Sequence, residues 1–272
     1  MENFVSKIKQ LIDSKRYTEA SNELRKFINS GQELPQHSID FANKLIFGAD
    51  WELVSALLPF ETDFFETSGW LRSIKESKPV DKDGNALPWL NYAAIDYIGS
   101  KINNGMAVFE WGCGYSTLWM AGRVKKISSV EDNHSWYSII KNKLPDNANV
   151  HYAKDKESYV NSILKTDEIY DVIQIDGSYR EECTEICVKK LKEDGFIIFD
   201  NTDEEKFDQA VVNLEKLGFN RIDFTGLIPS YAYKNCTSIF FKDMRFLKNE
   251  DLPSKINFSS GITCIQAVNK NK

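Results

Sequence analysis

The stretch AVFEWGCGYSTLWM, residues 107–120, decides the reading of the whole chain. Val108 and Phe109 suit a strand covered on both faces. Gly112 and Gly114 allow a tight turn and a close approach of backbone to ligand. Ser116 and Thr117 fall where helix N-caps are favoured, so a helix is expected to start there. A strand, turn and helix in this order predict a cofactor loop, with a row of free backbone N–H groups aimed at an anion. A dinucleotide-binding turn needs a third glycine so that helix, strand and pyrophosphate can approach closely; here that position is Thr117. Cys113, inside the turn, reads as the small residue the loop needs and not as a nucleophile, because no His lies near it in sequence.

Working outward, 272 residues suffice for one sizeable core and an appendage, since single domains usually run ~100 to 200 residues. The 34 basic and 40 acidic residues give a formal charge of −6, and no block of five or more Lys or Arg occurs. A nucleic-acid partner is therefore not expected. No apolar run approaches the ~20 residues of a membrane span, and MENFVSKIKQ lacks the apolar centre of a signal peptide; a soluble, cytoplasmic protein is the expectation. The five cysteines, odd in number and without a C-x-x-C pair, suit neither a disulfide framework nor a zinc knuckle. Cys183 and Cys187 share a helical stripe with Ile186 and Leu191 and read as core residues.

Residues 1–60 predict a helical appendage, with Phe4, Ile8, Leu11 and Ile12 on one stripe and Ala20, Leu24, Phe27 and Ile28 on the next. Asp13, Ser14 and Lys15 make the break between them, and 39–58 continue as two short helices. KRYTEASNELRKFI is similar to half of a tetratricopeptide repeat, but no second copy follows. A lid, a homodimer or protein-partner surface, and a packing cap all stay open for it. Residues 61–105 read as a linker rich in turn formers, then a helix beginning at Pro88 with Leu90, Ala94, Ile95, Tyr97 and Ile98 buried. From 106 to 246 strands and helices alternate with short connections, and 247–272 form a tail. Beyond the first strand, strands are expected at 126–130, 150–153, 170–175, 195–199, 220–224 and 237–241. Helices are expected at 116–123, 135–143, 157–164, 181–191 and 204–217. The fold class is α/β: a Rossmann-like, seven-stranded, mostly parallel sheet. Its last strand is antiparallel, because only residues 226–236, with no helix, join the final pair.

Three strand ends carry acids. Glu131 and Asp132 close the second strand, Glu131 lying 17 residues after Gly114, where an acid in a doubly wound sheet can accept both hydroxyls of a ribose. Trp136, just beyond, either stacks near an adenine or packs under the loop. IDGSYR (175–180) and FDN (199–201) follow apolar runs, so Asp176 and Asp200 emerge on the carboxyl edge beside the glycine loop.

Taken together, an acid at Glu110, glycines at 112 and 114 without a third, the acid Glu131 and the closing hairpin make 106–241 resemble class I S-adenosylmethionine (SAM) methyltransferases. The resemblance implies SAM as cofactor, held by Glu110, Gly112, Cys113, Gly114, Ser116, Thr117, Glu131, Asp132, Asp155 and Asp176. Asp155 would receive the adenine amino group, and Trp89 and Tyr92 would stand on the cleft wall. Asp176, Asp200 and Asn201 are similar to the divalent-cation triad of catechol-type O-methyltransferases and imply Mg²⁺, whose octahedron water and substrate oxygens would complete. That family places a lysine base three residues after the first aspartate; this chain has Tyr179 there and Arg180 next. The catalytic set is thus Asp176, Asp200, Tyr179 and Arg180. Arginine stays protonated and cannot be a base, so Arg180 is expected to grip an anionic or hydroxyl-rich substrate. In the rival version Asp176 and Asp200 line the cleft without metal. The implied activity is O-methylation of a small hydroxylated molecule, a sugar or secondary metabolite. An NAD-dependent oxidoreductase and a non-catalytic scaffold working through its N-terminal helices are the alternatives.

Overall fold

The computed structural model describes residues 64–248 throughout, with 2–14, 16, 19, 20, 23 and 26 of the N-terminal region. The helices expected within 27–60 and the tail beyond 248 lie outside the described residues, as does Cys264. The first helix spans Glu2–Asp13 and stops at the expected break.

Seven strands form one sheet: β1 Ala107–Trp111, β2 Lys126–Glu131, β3 Ala148–Tyr152, β4 Tyr170–Ile175, β5 Leu191–Asp200, β6 Asn220–Leu227 and β7 Lys234–Phe241. Their order is β3-β2-β1-β4-β5-β7-β6. β1 to β5 pair in parallel, whereas β7 runs antiparallel to both β5 and β6. The cause is connection length: a helix returns the chain for each parallel pairing, but 228–233 are too few for a crossover and can only reverse it. The expected Rossmann-like sheet with its antiparallel last strand is therefore present. The chain leaves β1 toward β2 and β3, then resumes on the other side at β4, and this reversal opens a crevice at the carboxyl ends of β1 and β4.

Side chains alternate across β1, which is buried along its whole length. Val108 joins the core cluster of Leu90, Ile95, Ile98, Trp119 and Ile198 on one face. Phe109 and Trp111 join Ile173, Phe199, Cys183, Cys187 and Phe240 on the other. Cys183 and Cys187 thus occupy core positions, and Cys113, Cys183, Cys187 and Cys236 are all free and buried.

Some boundaries differ from expectation. The helix expected from Pro88 is Tyr92–Lys101, because Asn91 supplies what a proline cannot: its side-chain oxygen accepts the N–H of Ala94 at 3.0 Å and caps the first turn. The helix placed at 181–191 is Arg180–Cys187, since Leu191 already pairs with Tyr170 and lengthens β5. The described part of the stretch read as a linker, 64–88, carries helices Phe64–Thr67 and Trp70–Glu76, and its Trp70, Leu71, Ile74 and Leu87 join the first core cluster. Trp70 also donates from Nε1 to the carbonyl of Tyr231 at 2.9 Å, fastening the stretch to the β6–β7 connection. Among the described residues no helix is long and apolar enough to cross a membrane.

Candidate active site

The glycine turn sits at the end of β1, before helix Tyr115–Ala121. Its amides are not free. Gly112 N–H donates to the Val130 carbonyl at 2.9 Å, Cys113 N–H to Glu131 Oε2 at 3.2 Å, and Gly114 N–H to Thr117 Oγ1 at 2.9 Å. The expected anion-facing row is corrected at these three positions only: Glu131, Thr117 and the Val130 carbonyl are acceptors supplied by the chain itself, and a buried N–H pairs with whatever acceptor is close.

Glu110 also departs from expectation. It shares the Val108 face of β1, so it points beneath the turn and does not line the cleft. Fully buried, its carboxylate accepts hydrogen bonds from Ser116 Oγ, from Thr117 Oγ1 at 2.5 Å, from Ser129 Oγ at 2.8 Å and from Gln174 Nε2 at 3.2 Å. Burial pushes its pKa up to about 7 against the pull of these donors. Glu110, Ser116 and Thr117 therefore staple the loop from below; of the three, only Ser116 also borders the cleft.

The two glycines have separate tasks. Gly112 has φ +91°, and a Cβ there would meet Gly177 Cα at 2.8 Å, so it is needed for backbone packing between β1 and β4. Gly114 is extended, and a Cβ on it would meet nothing nearer than 3.8 Å. Its missing side chain leaves open space bordered by Trp136, whose Nε1 donates to the Cys113 carbonyl at 2.6 Å and whose ring stacks near Tyr115. Trp136 thus packs against the loop and borders the cleft as well.

That cleft, with a volume of ≈ 360 Å³, is lined by Gly112, Cys113, Gly114, Ser116, Glu131, Asp132 and Trp136 on one side and by Asp176, Asp200, Asn201 and Asn235 on the other. Tyr159, Trp89, Tyr231 and Tyr233 also border it. The Glu131 carboxylate accepts three backbone amides, from Cys113, Asp132 and Asn133. Of the four acceptor positions a carboxylate offers, about one remains for a ligand. Cys113 is buried, and its thiol is pushed far above the usual range by that burial, which removes thiolate chemistry. Asp155 is exposed, caps helix Lys156–Val160 by accepting Ser158 N–H at 2.8 Å, and does not line the cleft. Tyr92 is buried in the first core cluster, while Trp89 does reach the cleft.

At the ends of β4 and β5 the structure brings Asp176, Asp200 and Asn201 together, and Arg180 lies among them. Its guanidinium donates from Nε to the Gly177 carbonyl at 2.9 Å, from one terminal nitrogen to the Asp200 carbonyl at 2.5 Å and Asn201 Oδ1 at 3.0 Å, and from the other to the Asp176 carbonyl at 2.8 Å and Asp176 Oδ1 at 3.3 Å. No donor remains to grip a substrate. Tyr179 faces outward, 39% exposed, and does not line the cleft. The same geometry disagrees with a divalent cation, because Asp176 and Asn201 already accept from a cationic group at the place they would offer one.

Burial raises the Asp176 carboxyl to about 6, with Arg180 and Gln174 opposing. Burial, reinforced by the charge of Asp176, holds Asp200 well above the usual carboxylate range. Asp200 accepts Asn235 Nδ2 at 3.1 and 3.2 Å and Thr237 Oγ1 at 2.5 Å. Asn235 and Thr237 were not singled out in the sequence. The signal was available: an antiparallel β7 must begin at the edge where β5 ends, Asp200 pairs with Thr237, and residue 235 shares its face. Asn235 Oδ1, buried at the cleft, has no protein partner.

No family model and no curated protein matches the chain. Among solved structures it is similar to precorrin 8w decarboxylase from Methanobacterium thermoautotrophicum, at 20% identity over 56% of this chain and 89% of the other, TM-score 0.43. It is similar to precorrin-6y C5,15-methyltransferase from Geobacter metallireducens GS-15, at 16% identity over 55% and 87%, TM-score 0.45. A Staphylococcus aureus protein described as a caffeoyl-CoA O-methyltransferase aligns at 16% identity over 71% of this chain and 98% of its own, TM-score 0.45.

Proposed function

We propose that this chain is a class I SAM-dependent methyltransferase that methylates a hydroxyl group of a small molecule, a sugar or secondary metabolite. The observation that carries the reading is the cleft itself, with the bare face of Gly114 and Glu131 on one side and the buried acid Asp200 on the other. The residues fit SAM. Glu131 keeps an acceptor position for a ribose hydroxyl, and the space over Gly114 admits a ligand against the backbone beside the Trp136 ring. Bound there, SAM would supply a methyl group activated on a sulfonium.

The chain's own part is positional and acid–base. Holding acceptor and donor in line removes roughly 7 to 11 kcal/mol of barrier. Asp200, with its raised pKa and its carboxylate fixed by Asn235 and Thr237, takes the acceptor's proton. Asn235 Oδ1 accepts a second hydrogen from the same substrate. The engaged amides of Gly112, Cys113 and Gly114 speak against NAD, whose pyrophosphate needs free N–H groups at this turn. Calorimetric titration with SAM, S-adenosylhomocysteine and NAD tests the reading. Saturable binding of the first two only is expected; NAD binding without a SAM response would overturn it.

A further inference from the structure

We propose that Arg180 stands in for a divalent cation in this cleft, as a built-in counter-charge joining the ends of β4 and β5, so that the site takes acceptors through a single hydroxyl instead of chelating paired oxygens. The consequence for the acceptor rests on the methyl-transfer reading of the cleft; the counter-charge itself does not.

The guanidinium does what a metal would do here. It bridges Asp176 Oδ1 and Asn201 Oδ1, at 3.3 and 3.0 Å, and takes the three backbone carbonyls of Gly177, Asp200 and Asp176 as further acceptors. Five acceptors meet the five N–H bonds of an arginine, a complete set. The side chain is 12% exposed and lies 5.0 Å over the ring of Phe207, so its position is fixed from a third direction. Tyr179 at φ 52° and Asn201 at φ 61°, beside the two ends of the clamp, both hold the left-handed backbone state, rare for a tyrosine.

A second cation would find its ligands taken. Asp176 and Asn201 already face a positive group, which would repel an incoming ion at contact distance. The third expected ligand, Asp200, accepts three hydrogen bonds from Asn235 and Thr237 and keeps about one acceptor position, the one that meets the acceptor hydroxyl. Mg²⁺ demands near-octahedral oxygen coordination and completes it with substrate oxygens; a guanidinium with no donor to spare makes no such demand. An acceptor then needs no neighbouring pair of oxygens, only one hydroxyl that reaches Asp200.

The test uses Mn²⁺ as a spectroscopic stand-in for Mg²⁺, followed by electron paramagnetic resonance on the purified full chain, with and without SAM. The expected result is no saturable Mn²⁺ binding at millimolar metal, and no change in melting temperature with EDTA. Saturable Mn²⁺ binding that disappears in Asp176→Asn would overturn the proposal. Arg180→Ala should melt at a lower temperature than the parent and gain stability from Mn²⁺, because removing the guanidinium leaves the carboxylates without their counter-charge. A folded Arg180→Ala protein that still ignores Mn²⁺ would sink the equivalence of arginine and metal. If that variant does not fold, the Mn²⁺ measurement on the parent decides alone. A parent that ignores both Mn²⁺ and SAM would remove the methyltransferase reading and leave the counter-charge standing.

Discussion

A Cβ placed on Gly112 would lie 2.8 Å from the Cα of Gly177, so the first and fourth strands end with their backbones in direct contact. The glycine that looks like a cofactor contact is therefore a packing requirement, and the two loop glycines separate experimentally. Gly112→Ala is expected to cost about 1 to 3 kcal/mol of stability, from overpacking and a positive φ. Gly114→Ala, whose Cβ meets only ordinary contacts, should melt like the parent but bind SAM more weakly. Thermal melts paired with calorimetry check both, and a Gly112→Ala protein of parental stability would contradict the packing account.

Glu110 makes stability depend on pH. Its folded pKa of about 7 lies above the ordinary 4.5, so the folded state holds the proton more tightly than the unfolded chain. That contribution is fully present below pH 4.5 and is lost as pH rises through 7. At roughly 1.4 kcal/mol per pKa unit it amounts to about 3 kcal/mol. Glu110→Gln, which keeps the shape and loses the titration, should make denaturant-derived stability fall less steeply across that window, where Asp176, raised to about 6, still titrates. An unchanged slope would mean that Glu110 is not the group responsible.

Glu131→Ala should weaken SAM binding by about 1.5 to 3 kcal/mol, the range for hydrogen bonds to a charged group. It should also lower the melting temperature, because the N–H groups of Cys113, Asp132 and Asn133 lose their acceptor. If calorimetry shows parental SAM affinity, the ribose assignment of this acid is lost.

Asp200→Asn is expected to leave SAM affinity unaltered while abolishing formation of S-adenosylhomocysteine in a screen of sugar and phenol acceptors. The acid faces Asn235 and Thr237, on the far side of the cleft from Glu131. Loss of SAM binding in this variant would place Asp200 on the cofactor side and contradict its role as proton acceptor.

Periodicity and punctuation determined much of this protein before any coordinates. The apolar runs at 107–111, 170–175 and 195–199 mark buried parallel strands, because both faces of such a strand meet helices. The short helix-free connection before Thr237 fixes β7 as antiparallel, because six residues can only reverse a chain. Acids that close such strands reach the carboxyl edge for the same topological reason, and Glu131, Asp176 and Asp200 do so.

What the side chains do at that edge was settled by tertiary structure. Which amide of the glycine turn is free depends on acceptors brought from β2 and from the following helix, and Glu131 and Thr117 take those of Cys113 and Gly114. Whether Glu110 meets a ligand depends on the phase of β1 relative to the loop helix, and that phase turns it inward. Arg180 reads in sequence as a substrate contact because its five donors are invisible there. Gly177 and Asp176, three and four residues back, take three of them, and only the apposition of β4 and β5 brings the Asp200 carbonyl and Asn201 Oδ1 to the other two. A hydrogen bond belongs to two groups at once, and for groups far apart in the chain the fold decides which two meet.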